Sequence, residues 1–597
     1  MVTSTATSSV EVPDGFRLHT ENTSQILLSA NDAFLNPVQE FNRDMSVACI
    51  RTWSEDRNRE KEEAWRKVTR GKAVRAANNP NKKLKGDGGH PIATTTAEES
   101  QKAKEEDSGE QLQESQKKPE SVFRPYNFTL LEALSATGLR SIRYAKEIPL
   151  LKFVIANDLS DAAAATMRRN VELNGLGAFE ETSTDPATPP KLNPGKVRVN
   201  EGDACTLMYN HREDKKRVDV VDLDPYGTAA PFVDAAVQCV SDGGDHYSFA
   251  THAAANLTLS HKGLLCVTCT DLAVLATTNY PEKCFSNYGG VSVKAEYAHE
   301  AALRLVLHSL STAAARYGRY IEPVLSLSID FYVRVFVRVW TGAMETKRAL
   351  SKTANYYICS HCQAWYEQPL GRVVEKVHEK SGHVNYLFKT QAGPTVSEKC
   401  PECESTLHLA GPMWSGPLHD PGFVGRVLEH LEEHKDHYGT APRMKGMLTL
   451  AKEEIAAPFY FTASKLASAF HCCSPSLNDI ASALLNAGHK VSRSHACAGS
   501  LKTTAPHRDT HDVIRGWIKK NPVKMENISQ GSPARRLLAK EPLLDANFKR
   551  HPDSITPSGE VKLVRYQQNP TPYWGPKPKA VSGTGNKRKR GEGEETA

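Results

Sequence analysis

Three aspartates each follow a short apolar run of the kind that forms a β-strand. They are Asp158, Asp203 and Asp224. Parallel strands present their carboxyl ends at one edge of an open α/β sheet, and ligands bind at that edge. A single aspartate in such a position is more often a helix cap or a turn residue. Three of them at successive strand ends favour a shared binding site over three unrelated turns.

Asp224 begins the segment Asp224-Pro225-Tyr226-Gly227. Because proline cannot continue a hydrogen-bond ladder, we expect the strand to end there. The Asp224 carboxylate and the Pro225 carbonyl can accept hydrogen bonds from an exocyclic amine, and Tyr226 can stack on a base. The same four residues are also ordinary turn chemistry. Together with the neighbouring acids they indicate a site for methylating a nucleobase nitrogen.

The elements that must position these residues alternate along the chain. Strands are predicted at 128–134, 153–156, 197–199, 218–224 and 263–270, with helices after most of them, at 139–146 and 229–240 among others. Strands that alternate with helices predict an α/β fold, a Rossmann-like parallel sheet. The connection 241–262 is longer than most loops of this kind.

In a methyltransferase sheet of this type the adenosyl cofactor lies across the carboxyl ends of the first strands. Asp158 is placed to hold ribose hydroxyls, and Asp203 to accept from the adenine amino group. The cofactor's carboxylate requires a cation or a helix N-terminus, which Arg140 and the turn Ala136–Leu139 provide. The turn contains only Gly138 in place of a GxGxxG motif, so the loop alone is a weak signal.

A second candidate site is formed by cysteines. The chain has 13 cysteines. Its first residues lack the basic and apolar segments of a secretion signal, so thiols or metal are expected rather than disulfides. Two CxxC pairs have the ligand number and local spacing of a closed tetrahedral zinc site. They are Cys359, Cys362, Cys400 and Cys403.

Composition limits the remaining possibilities. A chain of 597 residues with 39% hydrophobic residues is expected to form two or three domains. No apolar run is long enough for a transmembrane helix. The net charge of +6 means that any nucleic-acid binding must depend on local basic surface. The predicted divisions are an N-terminal segment 1–50 packing on the sheet, a disordered charged insertion 51–122, a methyltransferase domain 123–344, an α+β zinc-containing domain 345–545 and a basic tail 546–597.

Several segments carry a family resemblance. They are FNRD (41–44), LEALSATGLRSIRYAKE (131–147), ND (157–158), GDA (202–204), DLDPYG (222–227), LLCVTCTDLAVL (264–275), GPMWSGPLHD (411–420) and SHACAGSLKTTAP (494–506). Together they resemble the tRNA guanine-26 N2-dimethyltransferase family. The resemblance covers most of the chain outside 51–122 and the tail.

The resemblance implies an enzyme that transfers two methyl groups from S-adenosylmethionine to the exocyclic N2 of a tRNA guanosine, position 26. The cofactor contacts that it implies are Arg43, Arg140, Asp158, Asp203 and Ala204. Asp224 would be the catalytic residue, with Pro225 and Tyr226 placing the base. A structural zinc site is consistent with the family. The expected partner is tRNA, and no obligate protein partner is predicted.

Two alternatives remain open at this point. Thr268-Cys269 is similar to the Thr-Cys pair of enzymes that methylate a ring carbon of cytosine through a thiolate. The chain has no Pro-Cys dipeptide, and a buried strand cysteine is the competing interpretation of Cys269. The other alternative is a non-catalytic tRNA-binding chaperone on the same fold.

Basic residues suggest where RNA binds and where the protein resides. The cluster 586–590, NKRKR, predicts nuclear import, with the mitochondrion as a second compartment. Part of the tRNA grip is predicted at Lys490, Arg493, His495, Lys502, Arg508 and Trp517. One face of the strand-like stretch Pro323–Trp340 carries Arg334 and Arg338 among aromatics, which suits either RNA contact or cation–π packing under a helix.

Overall fold

The computed structural model describes residues 11–29, 35–77, 122–181, 191–242, 262–554 and 556–560. The loop 243–261 and the basic cluster 586–590 lie outside the described residues. The N-terminal elements are β1 (Phe16–Glu21), β2 (Ser24–Ser29) and α1 (Glu40–Ala77). The first two strands form an antiparallel hairpin. A short 3-10 helix, Pro37–Gln39, lies directly before α1.

The next part of the chain builds a seven-stranded sheet with its helices. The strands in this part of the chain, of which all but β5 and β6 belong to the sheet, are β3 (Phe128–Glu132), β4 (Leu151–Asp158), β5 (Phe179–Glu181), β6 (Lys191–Asn193), β7 (Val197–Glu201), β8 (Val220–Leu223), β9 (Gly263–Cys269), β10 (Arg319–Ile329) and β11 (Tyr332–Thr341). Its helices are α2 (Leu139–Glu147), α3 (Asp161–Leu173), α4 (Ala204–Asn210), α5 (Ala230–Cys239), α6 (Leu272–Leu275), α7 (Pro281–Tyr288), α8 (Ala298–Ala315) and α9 (Ala343–Arg348). Strands β5 and β6 form a separate two-stranded ribbon.

The order of the main sheet is β10-β11-β9-β8-β3-β4-β7. The pairs from β7 to β9 are parallel, whereas β11 pairs antiparallel with both β9 and β10. All five predicted parallel strands are confirmed, and the sheet is that of a Rossmann-like methyltransferase. Strands β8 and β9 are buried along their whole length, which explains their continuous apolar character.

The stretch Pro323–Trp340 was expected to be one strand-like segment and is a hairpin. The turn between β10 and β11 lies at Asp330, whose φ of +36° reverses the chain. The face that carries Arg334 and Arg338 is covered by protein: Arg334 is fully buried, and Arg338 lies over the Phe423 ring at 5.5 Å. The structure therefore favours cation–π and ion-pair packing over RNA contact for this face.

The remaining elements follow the sheet. The strands are β12 (Thr353–Cys359), β13 (Trp365–Pro369), β14 (Gly371–Val377), β15 (Val384–Thr390), β16 (Leu407–Trp414), β17 (Phe461–Thr462), β18 (Val491–Arg493) and β19 (Ser500–Thr503). The helices are α10 (Pro421–Glu433), α11 (Ala441–Glu453), α12 (Ala463–Ala469), α13 (Leu477–Asn486), α14 (His507–Lys520), α15 (Pro533–Ala539) and α16 (Pro557–Glu560). None of the described helices is long and apolar enough to cross a bilayer.

Part of the region after residue 345 shares a core with the sheet. Tyr356 on β12, Trp414 on β16 and Phe459 belong to the same buried cluster as the residues of β8, β9 and β11. The chain divides into a unit of residues 1–55 and 127–597 and a second unit, Asp56–Tyr126. The predicted boundary at 344/345 therefore falls inside one compact unit.

Two predicted boundaries differ from the structure. The charged insertion was expected to be disordered from residue 51, but α1 continues to Ala77. Ion pairs one helical turn apart stabilise this charged helix: Arg51–Glu55 at 3.0 Å and Arg66–Glu62 at 2.6 Å. Within the second unit, Asn58 exchanges hydrogen bonds with the Tyr126 backbone at 3.0 and 2.6 Å. Residues 78–121 lie outside the described part of the chain.

At the other end, the tail was expected from residue 546. Instead, Asn486 donates to the carbonyls of residues 547 and 549, and Phe548 packs on the core beside α14. The backbone N–H of Ser558 donates to Glu453 at 2.8 Å. The packed part of the chain therefore extends well beyond residue 546, because hydrogen bonds from α13 and the packing of Phe548 beside α14 hold this segment.

Candidate active site at the carboxyl edge of the sheet

Asp224 lies directly after the carboxyl end of β8, and 17% of its side chain is exposed. Arg140, on the first turn of α2, donates from Nη2 to Asp224 Oδ2. Gly138 precedes the helix with a φ of +78°, which allows a tight turn out of β3. The contact joins the predicted catalytic carboxylate to a predicted cofactor residue.

A layer of buried charge lies beneath this pair. Asp222, two residues earlier on the same face of β8, forms an ion pair with Arg334 at 2.7 Å and accepts from Tyr144 Oη at 2.5 Å. Although burial raises it, the guanidinium groups of Arg334 and Arg140 hold the pKa of Asp222 below its usual value. Breaking such a buried pair leaves an uncompensated charge. These buried charges therefore hold the Arg140 side chain in position from the interior side of the site.

Glu132, at the end of β3, belongs to the same layer. It accepts from the Ser141 hydroxyl and lies 3.6 Å from Arg140 Nε. Burial raises the pKa of Glu132 to about 8, and this effect exceeds the opposing effect of Arg140. Glu132 is consequently protonated at neutral pH, so the charge of Arg140 is balanced by the two aspartates of β8 and its turn.

Arg43, in the FNRD segment on α1, is 5% exposed and forms a bidentate pair with Glu21 of β1. The two nitrogen–oxygen distances are 2.7 and 2.5 Å. Arg143 also contacts Glu21, at 2.7 Å. Burial raises the pKa of Glu21, but Arg43 and Arg143 hold it well below its usual range. These pairs attach the N-terminal hairpin to α1 and α2 and fix the position of Arg43.

Asp158 and Asp203 lie at the ends of β4 and β7, as predicted. Asp158 Oδ2 accepts from the Ala136 N–H at 2.9 Å, which shapes the turn between β3 and α2. Asp203 caps α4 by accepting from the N–H three residues on, at 2.7 Å, and Ala204 is buried as the first residue of that helix. Both aspartates therefore have the local roles expected of turn and cap residues and also lie at the ligand-binding edge.

The turn after Asp224 is fixed to the end of β9. Gly227 has a φ of +99°, and its N–H donates to Thr270 Oγ1 at 2.8 Å. Pro225 is buried, whereas Tyr226 is 59% exposed. Partial burial and the charges of Asp224 and Asp158 raise the pKa of Tyr226. An aromatic face is thus presented to solvent beside the carboxylate.

Sequence reasoning missed a residue at this edge, Tyr332. It begins β11, whose second residue pairs with the last residue of β9. Tyr332 is 2% exposed, yet its hydroxyl has no hydrogen-bond partner within the described part of the chain. Burial and the charge of Asp224 raise the pKa of this phenol, against the effect of Arg443. This hydroxyl, which has no partner among the described residues, is a neutral donor at the same edge as Asp224, and only the strand register could have revealed it.

Cys269 does not have the properties of a nucleophile. It is 1% exposed and lies in the apolar core, whereas its neighbour Thr268 accepts from Arg334 on the other face of β9 at 2.9 Å. Burial, followed by the charge of Asp271, raises the pKa of Cys269 to about 12. A thiol in this state supplies little thiolate at neutral pH, so the structure argues against the cytosine-C5 alternative.

The two CxxC pairs meet in a buried cluster at the ends of β12 and β16. The four sulfur atoms lie within 4.8 Å of one another. Measured separations are 3.3 Å for Cys359–Cys403 and 3.7 Å for Cys362–Cys400 and Cys362–Cys403. A tetrahedral zinc site with Zn–S bonds of about 2.3 Å requires S···S distances of about 3.8 Å. The donor set and its spacing fit that ion.

A second buried group contains His419, Glu454 and His495. One ring nitrogen of each histidine accepts a backbone N–H of β10, at 3.3 and 3.2 Å. The nitrogens that face Glu454 must then carry protons, so they are donors and not metal ligands. Lys502 also pairs with Glu454, at 2.9 Å. This group is a polar anchor between β10 and the later helices.

The anchor also corrects part of the predicted tRNA grip. His495 and Lys502 are 3% and 1% exposed, and their side chains bind Glu454. They cannot reach RNA. Lys490 and Arg508 are exposed, whereas Arg493 and Trp517 are half-buried.

Comparisons with known proteins identify the family of the chain. A family model described as N2,N2-dimethylguanosine tRNA methyltransferase matches residues 15–256 and 246–515. The chain belongs to this family. A Schizosaccharomyces pombe protein named tRNA (guanine(26)-N(2))-dimethyltransferase is 42% identical over 92% of this chain and 90% of its own. A mouse protein of the same name is 40% identical, over 94% and 77%. A Saccharomyces cerevisiae protein with that name and the word mitochondrial is 38% identical, over 94% and 92%.

Among solved structures, the family fold is represented by Trm1 from Pyrococcus horikoshii, solved with S-adenosyl-L-methionine. It has a TM-score of 0.55 and 22% identity, and the match covers 83% of this chain and 99% of that chain. The three relatives are named as enzymes, which gives the chaperone alternative no support.

Proposed function

We propose that this chain transfers two methyl groups from S-adenosylmethionine to the exocyclic N2 of guanosine 26 in tRNA, with Asp224 as the catalytic residue. The observation that carries the assignment of the site is the position of Asp224. It is a partly exposed carboxylate at the carboxyl edge of a methyltransferase sheet, between the buried Arg140 and the exposed ring of Tyr226.

The guanine amine is a weak nucleophile because its lone pair is delocalised into the ring. Asp224 and the Pro225 carbonyl accept its two N–H groups, which orients the amine and favours the form with an available lone pair. Tyr226 stacks on the base once it has left its neighbours in the RNA. Asp224 then receives the proton that leaves N2. Tyr332, whose hydroxyl has no partner among the described residues, would donate a hydrogen bond to a ligand bound at this edge.

Five residues at the same edge would hold S-adenosylmethionine, which supplies a methyl group on a positively charged sulfur. They are Arg43, Arg140, Asp158, Asp203 and Ala204. The acids follow β4 and β7, next to the strand that leads to Arg140. Arg43 is positioned by Glu21, and among its contacts with described residues Nη1 makes only a 3.5 Å bond to a carbonyl. That nitrogen retains donor capacity for the cofactor's carboxylate.

The cysteine cluster is proposed to bind one structural zinc ion through Cys359, Cys362, Cys400 and Cys403. Closed four-sulfur sites of this spacing are structural. The region 345–545 would then form the zinc-stabilised part of the tRNA-binding surface, with 1–50 as a support for the sheet. Nuclear residence is proposed from the basic cluster 586–590, and a mitochondrial share is supported by the name of the yeast relative.

The deciding experiment uses unmodified tRNA, the full-length protein and S-adenosylmethionine labelled in the methyl group. Nucleoside digestion should yield labelled N2,N2-dimethylguanosine, and the label should disappear when guanosine 26 is replaced by adenosine. Label in 5-methylcytidine would contradict the proposal. Unlabelled tRNA despite measured cofactor binding would contradict it as well.

A further inference from the structure

The segment between the two CxxC pairs is longer than a zinc site needs. It forms a hairpin from β14 and β15, with Arg372 paired to Lys389, Val374 to Leu387 and Lys376 to Asn385. Directly opposed residues of antiparallel strands point to the same face. These six residues therefore form one face, called here the outer face of the hairpin.

The outer face carries three cations and no carboxylate. Arg372, Lys376 and Lys389 are exposed. None of the three forms an ion pair with any residue in the described ranges of the chain. Arg372 and Lys389 are direct cross-strand partners, and like charges in that position destabilise a sheet. The isolated hairpin therefore contains an unfavourable charge pair that an anionic partner would neutralise.

The opposite face holds the hairpin to the protein. Arg348 lies over the Tyr386 ring at 4.8 Å, and Phe388 and Val373 on the same face are half-buried. At the base, the N–H of Gln391 donates to the Leu370 carbonyl at 3.2 Å. The hairpin is thus fixed through its apolar face and its base, so its cations are presented in a defined arrangement.

The spacing of the cations suits a phosphate chain. Adjacent strands place Arg372 and Lys389 about 5 Å apart at the backbone, and Lys376 lies about 13 Å further along the strand. Lysine and arginine on a rigid surface bind phosphates by charge, and their contribution to RNA affinity depends strongly on salt. Leu387 and Val374 lie between the cations. Their apolar side chains leave fewer water molecules to compete with phosphate for these cations.

We propose that the outer face of the β14–β15 hairpin binds the phosphate backbone of the tRNA substrate, at a distance from the methylated base. This inference rests on the tRNA substrate of the proposed function. Because the hairpin lies between the two CxxC pairs, loss of the cysteine cluster would also weaken tRNA binding. The occupant is RNA backbone and not a base-specific ligand, since the face offers cations and aliphatic groups but no aromatic ring.

The test compares the wild type with R372Q/K376Q/K389Q and with the charge-retaining variant R372K/K376R/K389R. Binding of tRNA is measured from low to high salt, and methylation is measured at limiting and saturating tRNA. The neutral variant should bind about tenfold more weakly at physiological salt. Its log–log salt slope should fall by about 2 to 3, because each of the three lost phosphate contacts contributes a little under one. KM should rise while kcat stays unchanged, and the charge-retaining variant should behave as the wild type.

Stability provides the folding control. Because the substitution removes a like-charge pair, the melting temperature of the neutral variant should be equal to or higher than that of the wild type. Unchanged tRNA affinity and salt slope in a folded neutral variant would overturn the inference. A fall in kcat at saturating tRNA with unaltered affinity would also overturn it. Failure of the wild type to methylate any tRNA would count against the proposed function instead.

Discussion

The carboxyl edge of the sheet and the four-cysteine cluster both gather polar side chains, but they do so by different means. At the edge, the acids follow β4, β7 and β8, and parallel strand order alone brings them together. At the cluster, two short turns far apart in the chain meet, and their four sulfur atoms lie within 4.8 Å. The first arrangement is held by a packed sheet, whereas the second would be held by the proposed zinc ion, which would offset the crowding of four thiolates.

This difference predicts how each region fails. The edge rests on a layer of internal ion pairs, Asp222 with Arg334 and Arg140 with Asp224. Substitutions at this edge should lower the rate of methylation before they lower the stability of the fold. Among the described residues, no ion pair holds the four cysteines of the cluster together. Substitutions in the cluster should therefore lower the stability of the fold first. Four variants test this contrast, in order of decreasing free-energy effect.

Removal of the proposed zinc ion should have the largest effect. Structural zinc contributes about 10 kcal/mol or more in small domains. We expect about one zinc per wild-type chain by metal analysis, and Cys403→Ser should lose the metal, lower the melting temperature and weaken tRNA binding. Cys473→Ser, at an exposed cysteine outside the cluster, is the matched control and should retain the metal. Folded wild-type protein without zinc would contradict the proposal that zinc stabilises the cysteine cluster.

Substitution of the catalytic carboxylate should follow. Asp224→Asn is expected to reduce kcat about 10³-fold, the range typical of a lost general base. Calorimetric affinities for S-adenosylmethionine and for tRNA should change little, since the buried layer beneath remains. Asp234→Asn, at a carboxylate on α5 away from this edge, serves as the control. A kcat within tenfold of the wild-type value would contradict the assignment of Asp224 as the catalytic residue.

The buried layer can be tested through pH. The folded-state pKa of Glu132 is raised from 4.5 to about 8, so the folded protein keeps a proton that the unfolded chain loses in that interval. Stability should therefore fall as pH rises from about 4.5 to about 8. Each pKa unit corresponds to about 1.4 kcal/mol, so the loss between pH 5.5 and pH 8 should be on the order of 3 kcal/mol.

Glu132→Gln should remove this component from urea-unfolding curves recorded at pH 5.5 and pH 8. Glu201→Gln, at a 46%-exposed side chain on β7, is the comparison variant. Its pH profile should match the wild type. If Glu132→Gln and the wild type lose stability in parallel, the layer does not contain a neutral carboxyl group.

The smallest effect is expected at Tyr332. Removing one neutral hydrogen bond costs about 1–1.5 kcal/mol, so Tyr332→Phe should lower kcat/KM for methylation about tenfold. Tyr356→Phe is a matched control, because Tyr356 is also fully buried with an unpaired hydroxyl but lies on β12. Equal activity of the two variants would show that the Tyr332 hydroxyl takes no part in the site.

Local signals in the sequence were enough to place much of the site. Apolar runs that end in acids located Asp158, Asp203 and Asp224, because the carboxyl ends of parallel strands share an edge whatever the details of packing. The two CxxC pairs located the cysteine cluster for a similar reason, since each half is complete within four residues. The end of α3 at Asn174-Gly175 is also marked locally, because Gly175 has a φ of +64°, which glycine adopts readily.

Long-range pairing was not accessible to such signals. The hairpin of β10 and β11 was expected as one stretch, because its turn residue Asp330 adopts positive φ without a glycine to mark it. Lys502 and His495 were expected on the surface, since nothing near them in the chain shows that Glu454 lies beside them.

The sequence by itself determined which residues end the strands, which carry sulfur, and that the sheet is Rossmann-like. Only the tertiary structure decided which charges are buried together, that Arg140 faces Asp224, and that Tyr332 has an unpaired hydroxyl at the same edge. The physical reason is that strand ends are fixed by short-range backbone preferences. Charge burial, in contrast, depends on partners brought together by packing from distant parts of the chain.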